Sequence, residues 1–197
     1  CRATFFDRTR EEPATLNIEC LDRPARPATL SPEQIDQSLM RAAAFVRGTA
    51  NVFGNWAQGF SAQPNCLPAL DQAPFRRAGA HASIHYFHGY WQLQPDEALV
   101  ISLKEPECAY WSLVLQNHWM ESLDYRYLPV HVNKGSVTRA ADGTVTILIA
   151  ASNPGFSNFL DTDGHTCGTM LLRWVGAREY PVPDCKVVKL QTLTPAG

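Results

Sequence analysis

The residues best suited to chemistry lie in "QNHWMESLDYRY", residues 116–127, directly behind the very apolar run "CAYWSLVL". Carboxylates can exchange protons, amide and guanidinium groups can orient a ligand, and aromatic rings supply apolar faces. A core strand that ends in such groups predicts the rim of a pocket. The candidate ligand-binding residues there are Asn117, Trp119, Glu121, Asp124, Tyr125, Arg126 and Tyr127, with Trp91 as a further aromatic wall.

A second polar region, "NPGFSNFLDTDGHTCGTM", spans residues 153–170 and carries Asp161 and His165. A histidine near carboxylates can act as a general base, so Glu121, Asp124 and His165 are the catalytic candidates. Asp and Asn side chains also commonly cap their own turns. Both interpretations of Asp161 and His165 stay open on sequence alone, whereas Asp163-Gly164 favours a turn.

Arg173 lies in the apolar run "MLLRWV". The period of two in a strand puts it on one face with Leu171 and Val175. A guanidinium among apolar neighbours is expected to pair with a carboxylate or to bind an anion. The possible carboxylates are Glu121, Asp124 and Asp161, and an internal salt bridge is the structural alternative to a ligand contact.

Composition and motifs exclude several classes of protein. The net charge of −2 and the absence of a basic run longer than Arg76-Arg77 argue against nucleic-acid binding. No window approaches eighteen apolar residues, so no membrane span is predicted. Histidines 81, 85 and 88 have the wrong strand spacing to share an ion, and no C-x-x-C, G-x-S-x-G, G-x-G-x-x-G, P-loop or H-E-x-x-H motif occurs. We therefore expect neither a metal nor a cofactor.

Six widely scattered cysteines give no zinc-ribbon spacing. Cys20, Cys108 and Cys167 lie in or beside predicted strands, where cysteine commonly acts as a small buried hydrophobe. Free thiols of this kind indicate a reducing compartment. That interpretation favours a cytoplasmic location and leaves localisation otherwise open.

The secondary-structure signals divide the chain into three parts. Residues 1–60 contain a short predicted strand at 14–20 and one amphipathic helix, which begins with the capping box "SPEQ" at Ser31. Residues 61–80 form a long Pro- and Ala-rich loop, which is either functional or clamped over a surface. Residues 81–197 contain six strand signals, "SIHYFHGYW", "ALVISL", "AYWSLVLQN", "VTILIAA", "GTMLLRWV" and "KVVKLQTL".

Strands without interleaved helices predict a mainly β fold, an antiparallel β-sandwich or jelly-roll-like domain with one N-terminal helix. The 197 residues fit a single domain. The start at Cys1, without Met or a signal-peptide pattern, suggests the C-terminal part of a longer protein.

Several segments in this order resemble domain-of-unknown-function family 1214, whose domain often forms the C-terminal half of bacterial proteins and is frequently paired with family 1254. They are "GNWAQGF", "HGYWQLQPDEALVI", "YWSLVLQNHWMESLDYRY", "NPGFSNFLDTDGHTCGTMLLRWVGA" and "PVPDCKVVKL". The resemblance implies a jelly-roll-like β-domain at the end of a longer protein and transfers no catalytic residue.

Three functions remain open on sequence alone. The first is a domain that binds a small molecule or carbohydrate in a pocket at the strand ends. The second is an acid–base enzyme, hydrolase-like, which uses a carboxylate and His165 in that pocket. The third is a structural module whose aromatic surface is covered by an N-terminal domain of the same protein or by a second copy of the chain.

Overall fold

The protein is a mainly β sandwich in the computed structural model, which describes residues 10–22 and 29–193. The predicted fold class is confirmed: two four-stranded sheets pack together, preceded by one long helix. The eight strands are β1 (Ile84–Gln92), β2 (Glu97–Lys104), β3 (Tyr110–Leu115), β4 (His131–Asn133), β5 (Thr144–Ala150), β6 (Phe159–Asp161), β7 (Cys167–Val175) and β8 (Asp184–Lys189).

The first sheet has the strand order β1-β7-β3-β4 and is antiparallel throughout. The second sheet has the order β6-β5-β2-β8, in which the short β6 pairs in parallel with β5. The six strands signalled by the sequence all form. Strands β4 and β6 were not predicted because three residues are too few to show a period of two.

The core lies between the inner faces of the two sheets. Trp111, Leu113 and Leu115 of β3 point inward with Leu172 and Trp174 of β7, and all are fully buried. In β7 this is the alternation read from the sequence, so the face assigned to Arg173, Leu171 and Val175 is confirmed. It follows that Arg173 and its same-face neighbours lie on the outer face of the first sheet.

The chain divides into two compact units, residues 1–51 and residues 52–197. The sandwich belongs to the second unit. The prediction of a single domain over residues 1–197 stays a prediction. Among the described residues, no helix combines the length and apolar character needed to cross a membrane.

Helix α1 (Pro32–Ser61) is the predicted amphipathic helix. Its capping box forms as expected: the Gln34 backbone N–H donates to Ser31 Oγ at 3.3 Å, and the Ser31 N–H donates to Gln34 Oε1 at 2.9 Å. The apolar residues of its first turns are exposed, which the amphipathic pattern did not predict. The exposed members are Ile35, Leu39, Met40, Phe45, Val46, Val52 and Phe53.

The strand predicted at residues 14–20 is wrong, because these residues form neither strand nor helix in the structure. Leu16 and Ile18 are 63% and 92% exposed, and none of the described strand pairings involves this segment. Alternation alone cannot make a strand, since its backbone N–H and C=O groups need a partner strand.

The long loop at 61–80 is clamped along the edge strand β1 by two side-chain amides. Asn65 donates to the Gln92 carbonyl and accepts from its N–H, both at 2.9 Å. Gln72 does the same for Tyr86, with both bonds again at 2.9 Å. These amides replace a missing neighbour strand and protect the edge from pairing with another chain. The short helix α2 (Ala73–Arg77) follows this clamp.

The Asp142-Gly143 dipeptide is a common sequence signal for a type I′ hairpin turn, but it does not form that turn here. The turn runs from Ala140 to Gly143, whose N–H donates to the Ala140 carbonyl at 2.9 Å. Gly143 alone adopts the left-handed conformation, with φ of 79°. A type I′ turn needs positive φ at both central residues, whereas the central residues here, Ala141 and Asp142, are not among the described residues with positive φ.

Two glycines allow close backbone contacts that position the site. A Cβ added at Gly89 would lie 2.2 Å from the Cys66 carbonyl oxygen, where the clamped loop crosses β1. A Cβ added at Gly168 would lie 2.2 Å from the Gln116 carbonyl oxygen and 2.8 Å from the Trp91 ring. Neither backbone oxygen can move without shifting a strand.

We expect Gly168→Ala to destabilise the sandwich by about 3 kcal/mol, because the added methyl overlaps a backbone oxygen and a buried ring. Chemical denaturation followed by tryptophan fluorescence measures this change. Gly59→Ala is the matched control: an added Cβ there has no atom within 4 Å, and helix propensity should stabilise the variant by about 0.5 kcal/mol. Equal effects at the two positions would contradict the packing described.

Candidate functional site

The candidate site combines the loop at residues 116–130 with the outer face of the first sheet. We call residues 116–130 the aromatic loop. Asn117 organises its first turn: the side-chain Oδ1 accepts from the Trp119 and Glu121 N–H groups at 2.9 and 3.1 Å. Its Nδ2 donates to Glu121 Oε2 at 2.7 Å. Two of the predicted ligand contacts, Asn117 and Glu121, therefore bind each other and shape the loop.

Asp124 and Arg126 form a second local pair. Arg126 Nε and Nη2 donate to the two Asp124 carboxylate oxygens at 2.9 and 3.0 Å. The guanidinium holds the pKa of Asp124 below its ordinary value. Arg126 also lies over the Tyr127 ring, 5.3 Å from the centroid, which leaves the other face of that ring for contacts.

Three large rings of the aromatic loop are exposed: Trp119 by 59%, Tyr125 by 66% and Tyr127 by 80%. Trp119 is nevertheless held in place. Its ring packs against Gly54, where an added Cβ would be 3.5 Å away, and meets the His118 ring edge-on at 5.1 Å between centroids. Exposed aromatic side chains on a hydrogen-bonded loop are a common arrangement for ligand recognition.

Trp91 is not part of a pocket. It is fully buried, its ring lies over Gly168, and its Nε1–H donates to the Thr169 carbonyl at 3.2 Å. The sequence placed it correctly on β1, but alternation cannot tell an inner wall from a core position when both faces of a strand are buried.

Asp161 and His165 do not form an acid–base pair. Asp161 Oδ1 accepts from the Asp163 N–H at 2.8 Å, so Asp161 caps its own turn. His165 is exposed, and within residues 10–22 and 29–193 no carboxylate is hydrogen-bonded to its ring. The expected juxtaposition of His165 with Glu121 or Asp124 is not found.

Arg173 has no carboxylate partner in the described part of the chain, so the internal salt bridge with Glu121, Asp124 or Asp161, one of the two alternatives left open, does not form there. Its Nη2 donates to Ser112 Oγ at 3.3 Å, and its Nε is buried without a hydrogen-bond partner. Tyr86 and Ser112 stand directly opposite Arg173 on the two neighbouring strands. The guanidinium is half-buried on the outer face of the first sheet.

His88 lies on the same outer face, one diagonal step from Arg173. Its ring stacks between Phe60 at 5.0 Å and Phe75 at 4.8 Å, with Trp56 at 6.3 Å. The residue is 5% exposed, and Nδ1 has no hydrogen-bond partner. Burial, and secondarily the charge of Arg173, lowers the pKa of His88 to about 4, so the imidazole is neutral at neutral pH.

Tyr90 continues this face toward the aromatic loop. Its hydroxyl lies 2.9 Å from His118 Nδ1. Burial and a hydrogen bond with Cys167 raise the pKa of Tyr90, which keeps the phenol protonated. The outer face and the aromatic loop therefore meet at His118, the neighbour of Trp119.

Sequence reasoning missed His88, Tyr90 and Ser112 as members of a site. The available signal was the alternation of Tyr86, His88 and Tyr90 in β1, which puts three polar rings on one face. The strand spacing of the histidines argued against a shared metal ion, and they were not considered as contacts for another kind of ligand. Among the described residues, no three His, Cys, Asp or Glu side chains are placed to hold a metal ion.

The cysteines of the described chain are all free thiols. Cys108 is buried, Cys167 is half-buried and Cys20 is exposed. The expectation of buried thiols in or beside strands is therefore met at Cys108, met only in part at Cys167 and wrong at Cys20. Cys20 is exposed because the strand predicted around it does not form.

Two solved structures resemble the chain to different degrees. A crystal structure of an uncharacterized protein from Burkholderia cenocepacia has a TM-score of 0.91 and 48% sequence identity, over 96% of this chain and 53% of that one. The VPA0106 protein from Vibrio parahaemolyticus has a TM-score of 0.47 and 15% identity, over 82% of this chain and 47% of that one. No family model and no curated protein matches the chain.

The chain thus spans about half the length of each of these two structures. The fold defines a mainly β sandwich with an N-terminal helix. This chain is similar over nearly all of its length to the Burkholderia cenocepacia protein.

The neutral, buried His88 predicts a pH dependence of stability. The unfolded histidine titrates near its ordinary value of 6.5 and the folded one near 4, so only the unfolded state gains a proton between these values. This contribution is present above pH 6.5, is lost as the pH falls to 4, and amounts to about 3 kcal/mol.

His88→Phe, which keeps a ring among Phe60, Phe75 and Trp56, should flatten this dependence. The measurement is the free energy of unfolding of wild type and variant by urea denaturation at pH 7.5, 6, 5 and 4. His131→Phe is the control, because His131 is exposed. A wild type and a His88→Phe variant that lose stability in parallel would contradict a neutral His88.

Proposed function

We propose that the sandwich binds a carbohydrate or a similar small polar ligand on the aromatic loop. The observation that supports this is the set of three exposed rings, Trp119, Tyr125 and Tyr127, on a loop fixed by the side-chain hydrogen bonds of Asn117 and Asp124. A loop already held in one conformation loses little entropy when it binds.

The chemistry of the loop suits sugars. Flat aromatic faces pack against the apolar C–H faces of a pyranose ring, while polar groups beside them accept and donate hydrogen bonds to hydroxyls. Glu121 and Arg126 are exposed and can reach a ligand beside Trp119 and Tyr127. Each already has one partner on the protein, which orients the group before a ligand arrives.

The acid–base alternative has no comparable support, because His165 and Asp161 occupy separate turn contacts. We further infer that the chain is a family 1214 type of domain that works as one part of a longer protein. The ordered sequence segments support this, and so does the Burkholderia cenocepacia structure, of which the chain covers 53%.

Trp119→Ala should weaken glycan binding about tenfold or more, since a central aromatic contact commonly dominates the energy of a small interface. The measurement is isothermal titration calorimetry with cellohexaose, xylohexaose, chitohexaose, maltohexaose and alginate oligomers. Tyr180→Ala is the matched control, because Tyr180 is a 40% exposed ring outside the loop that stacks on His85. Wild type that binds no glycan, or equal losses in both variants, would contradict the proposal.

A structural or interaction module is the second candidate, and the exposed apolar stripe on helix α1 favours it. Ile35, Leu39 and Val46 recur at spacings of four and seven and are 46%, 63% and 67% exposed. An exposed stripe of this kind commonly marks an interface. The simplest partner is a second copy of the chain.

Light scattering after size-exclusion chromatography tests this candidate across a hundredfold range of concentration. Wild type should be dimeric, and Leu39→Glu monomeric, because a charge is costly within an apolar interface. Gln37→Glu adds the same charge at another exposed helix position and should leave the dimer unchanged. A monomeric wild type at every concentration would exclude a partner of this kind.

A further inference from the structure

Beyond the aromatic loop, we propose that Arg173 and the outer face of the first sheet bind a small organic carboxylate with an apolar body. The face consists of β1, β7 and β3, and its polar members are Tyr86, His88, Ser112 and Arg173.

The guanidinium of Arg173 is arranged to receive an anion. Its Nε is buried without a partner, and its Nη2 has a single contact at 3.3 Å, to Ser112 Oγ. Nε and Nη2 lie on one side of a guanidinium, and together they match the two oxygens of a carboxylate. No carboxylate of the described chain occupies this side.

A half-buried guanidinium without an anion is costly, because its neighbours cannot replace water. Leu171 and Val175 flank Arg173 on the same face of β7, and both are half-buried. Ordinary surface arginines avoid this cost by reaching into solvent. The arrangement here therefore points to an anion that enters from outside the described chain.

The second independent observation is His88. It is 5% exposed, and its Nδ1 is buried without a partner. Tyr86 is opposite Arg173 and His88 is opposite Leu171, so His88 and Arg173 are diagonal neighbours, roughly 7–8 Å apart. His88 Nδ1 and Arg173 Nε thus both lack hydrogen-bond partners and lie within one ligand's reach.

The residues around His88 indicate the chemistry of the uncharged part of the ligand. Phe60, Phe75 and Trp56 surround His88. A largely apolar depression of about 280 Å³ is lined by Trp56, Phe60, Leu70, Asp71, Pro74 and Phe75, and the Asp71 carboxylate accepts a hydrogen bond from the Ala73 N–H at 3.0 Å. A carboxylate carrying an aryl or short alkyl group suits a single positive charge beside such rings. A phosphate dianion would leave excess negative charge in apolar surroundings.

This site is separate from the aromatic loop. Arg173 pairs with Ser112 near the start of β3, whereas the loop begins at Gln116 after the end of that strand. Four residues of strand correspond to roughly 13 Å. A ligand on the loop and a carboxylate at Arg173 can therefore be tested independently.

Isothermal titration calorimetry with phenylacetate, benzoate and hexanoate, each matched by its neutral amide, tests the proposal. We expect each acid that binds to do so at least about tenfold more tightly than its amide, because only the acid forms charge-assisted hydrogen bonds. Inorganic phosphate should bind more weakly than these acids. Wild type that binds none of the acids at about 20 mM, or that binds the amides equally well, would overturn the proposal. A dissociation constant above about that concentration is too weak for a specific site.

Arg173→Gln should weaken acid binding about ten- to hundredfold and leave amide binding unchanged. Arg178→Gln removes an exposed arginine and should change neither. Because Arg173 has no carboxylate partner, Arg173→Gln should unfold at the same temperature as wild type or a higher one. A large loss of stability would show instead that the guanidinium is structural, and would overturn the proposal.

Arg173→Lys tests the same contact if Arg173→Gln does not fold. It keeps the charge and loses the paired geometry, so acid binding should fall about three- to tenfold. An unchanged affinity in Arg173→Lys would contradict a two-point contact. Neither variant touches the aromatic loop, so binding of glycans to the loop can fail or succeed without affecting this result.

Discussion

The structure depends on the burial of the inner faces of two sheets against each other. Side chains alternate strictly along a strand. Because Leu172 and Trp174 of β7 point inward, Arg173 between them must point outward. A slip of one residue would carry the guanidinium into the core and an indole outward. The polar outer face is therefore a consequence of the core, and the core holds Arg173 and Ser112 in register.

Other elements partly cover the outer face of the first sheet. The loop at 61–80 is fixed to the edge of β1 by Asn65 and Gln72. The same loop carries Phe75 onto His88, and the last turns of helix α1 add Trp56 and Phe60. A histidine that would be exposed on a bare sheet is thereby buried and held neutral. Sheet, clamp and helix end together bury His88, and this burial is the main cause of its lowered pKa.

Much of this fold could be predicted from the sequence, because long segments carry a regular period. The helix and six strands show one, and "SPEQ" shows the start of the helix. The two three-residue strands show no such period. The alternation at residues 14–20 led to a wrong prediction because a strand also needs a partner strand. Periodicity is a local property, whereas strand pairing depends on residues distant in the chain.

The candidate site was predicted less well, for the same reason. Arg173 was correctly placed on a face among apolar neighbours, and the role predicted for the exposed rings of the aromatic loop stays a prediction. The carboxylates suggested as partners of Arg173 do not pair with it, since Glu121 and Asp124 form hydrogen bonds within their own loop. Short-range pairs such as Asn117 with Glu121 compete well against distant partners because little chain entropy is lost. His88 could be found only once the clamp was known.

The central claim is that the buried side of the Arg173 guanidinium receives a carboxylate from outside the described chain. The most direct measurement is a high-resolution crystal structure of the protein grown with phenylacetate. We predict its carboxylate oxygens at about 2.7–3.0 Å from Arg173 Nε and Nη2. An Arg173 side chain turned into solvent, or one paired with an aspartate or glutamate of the protein itself, would contradict the account.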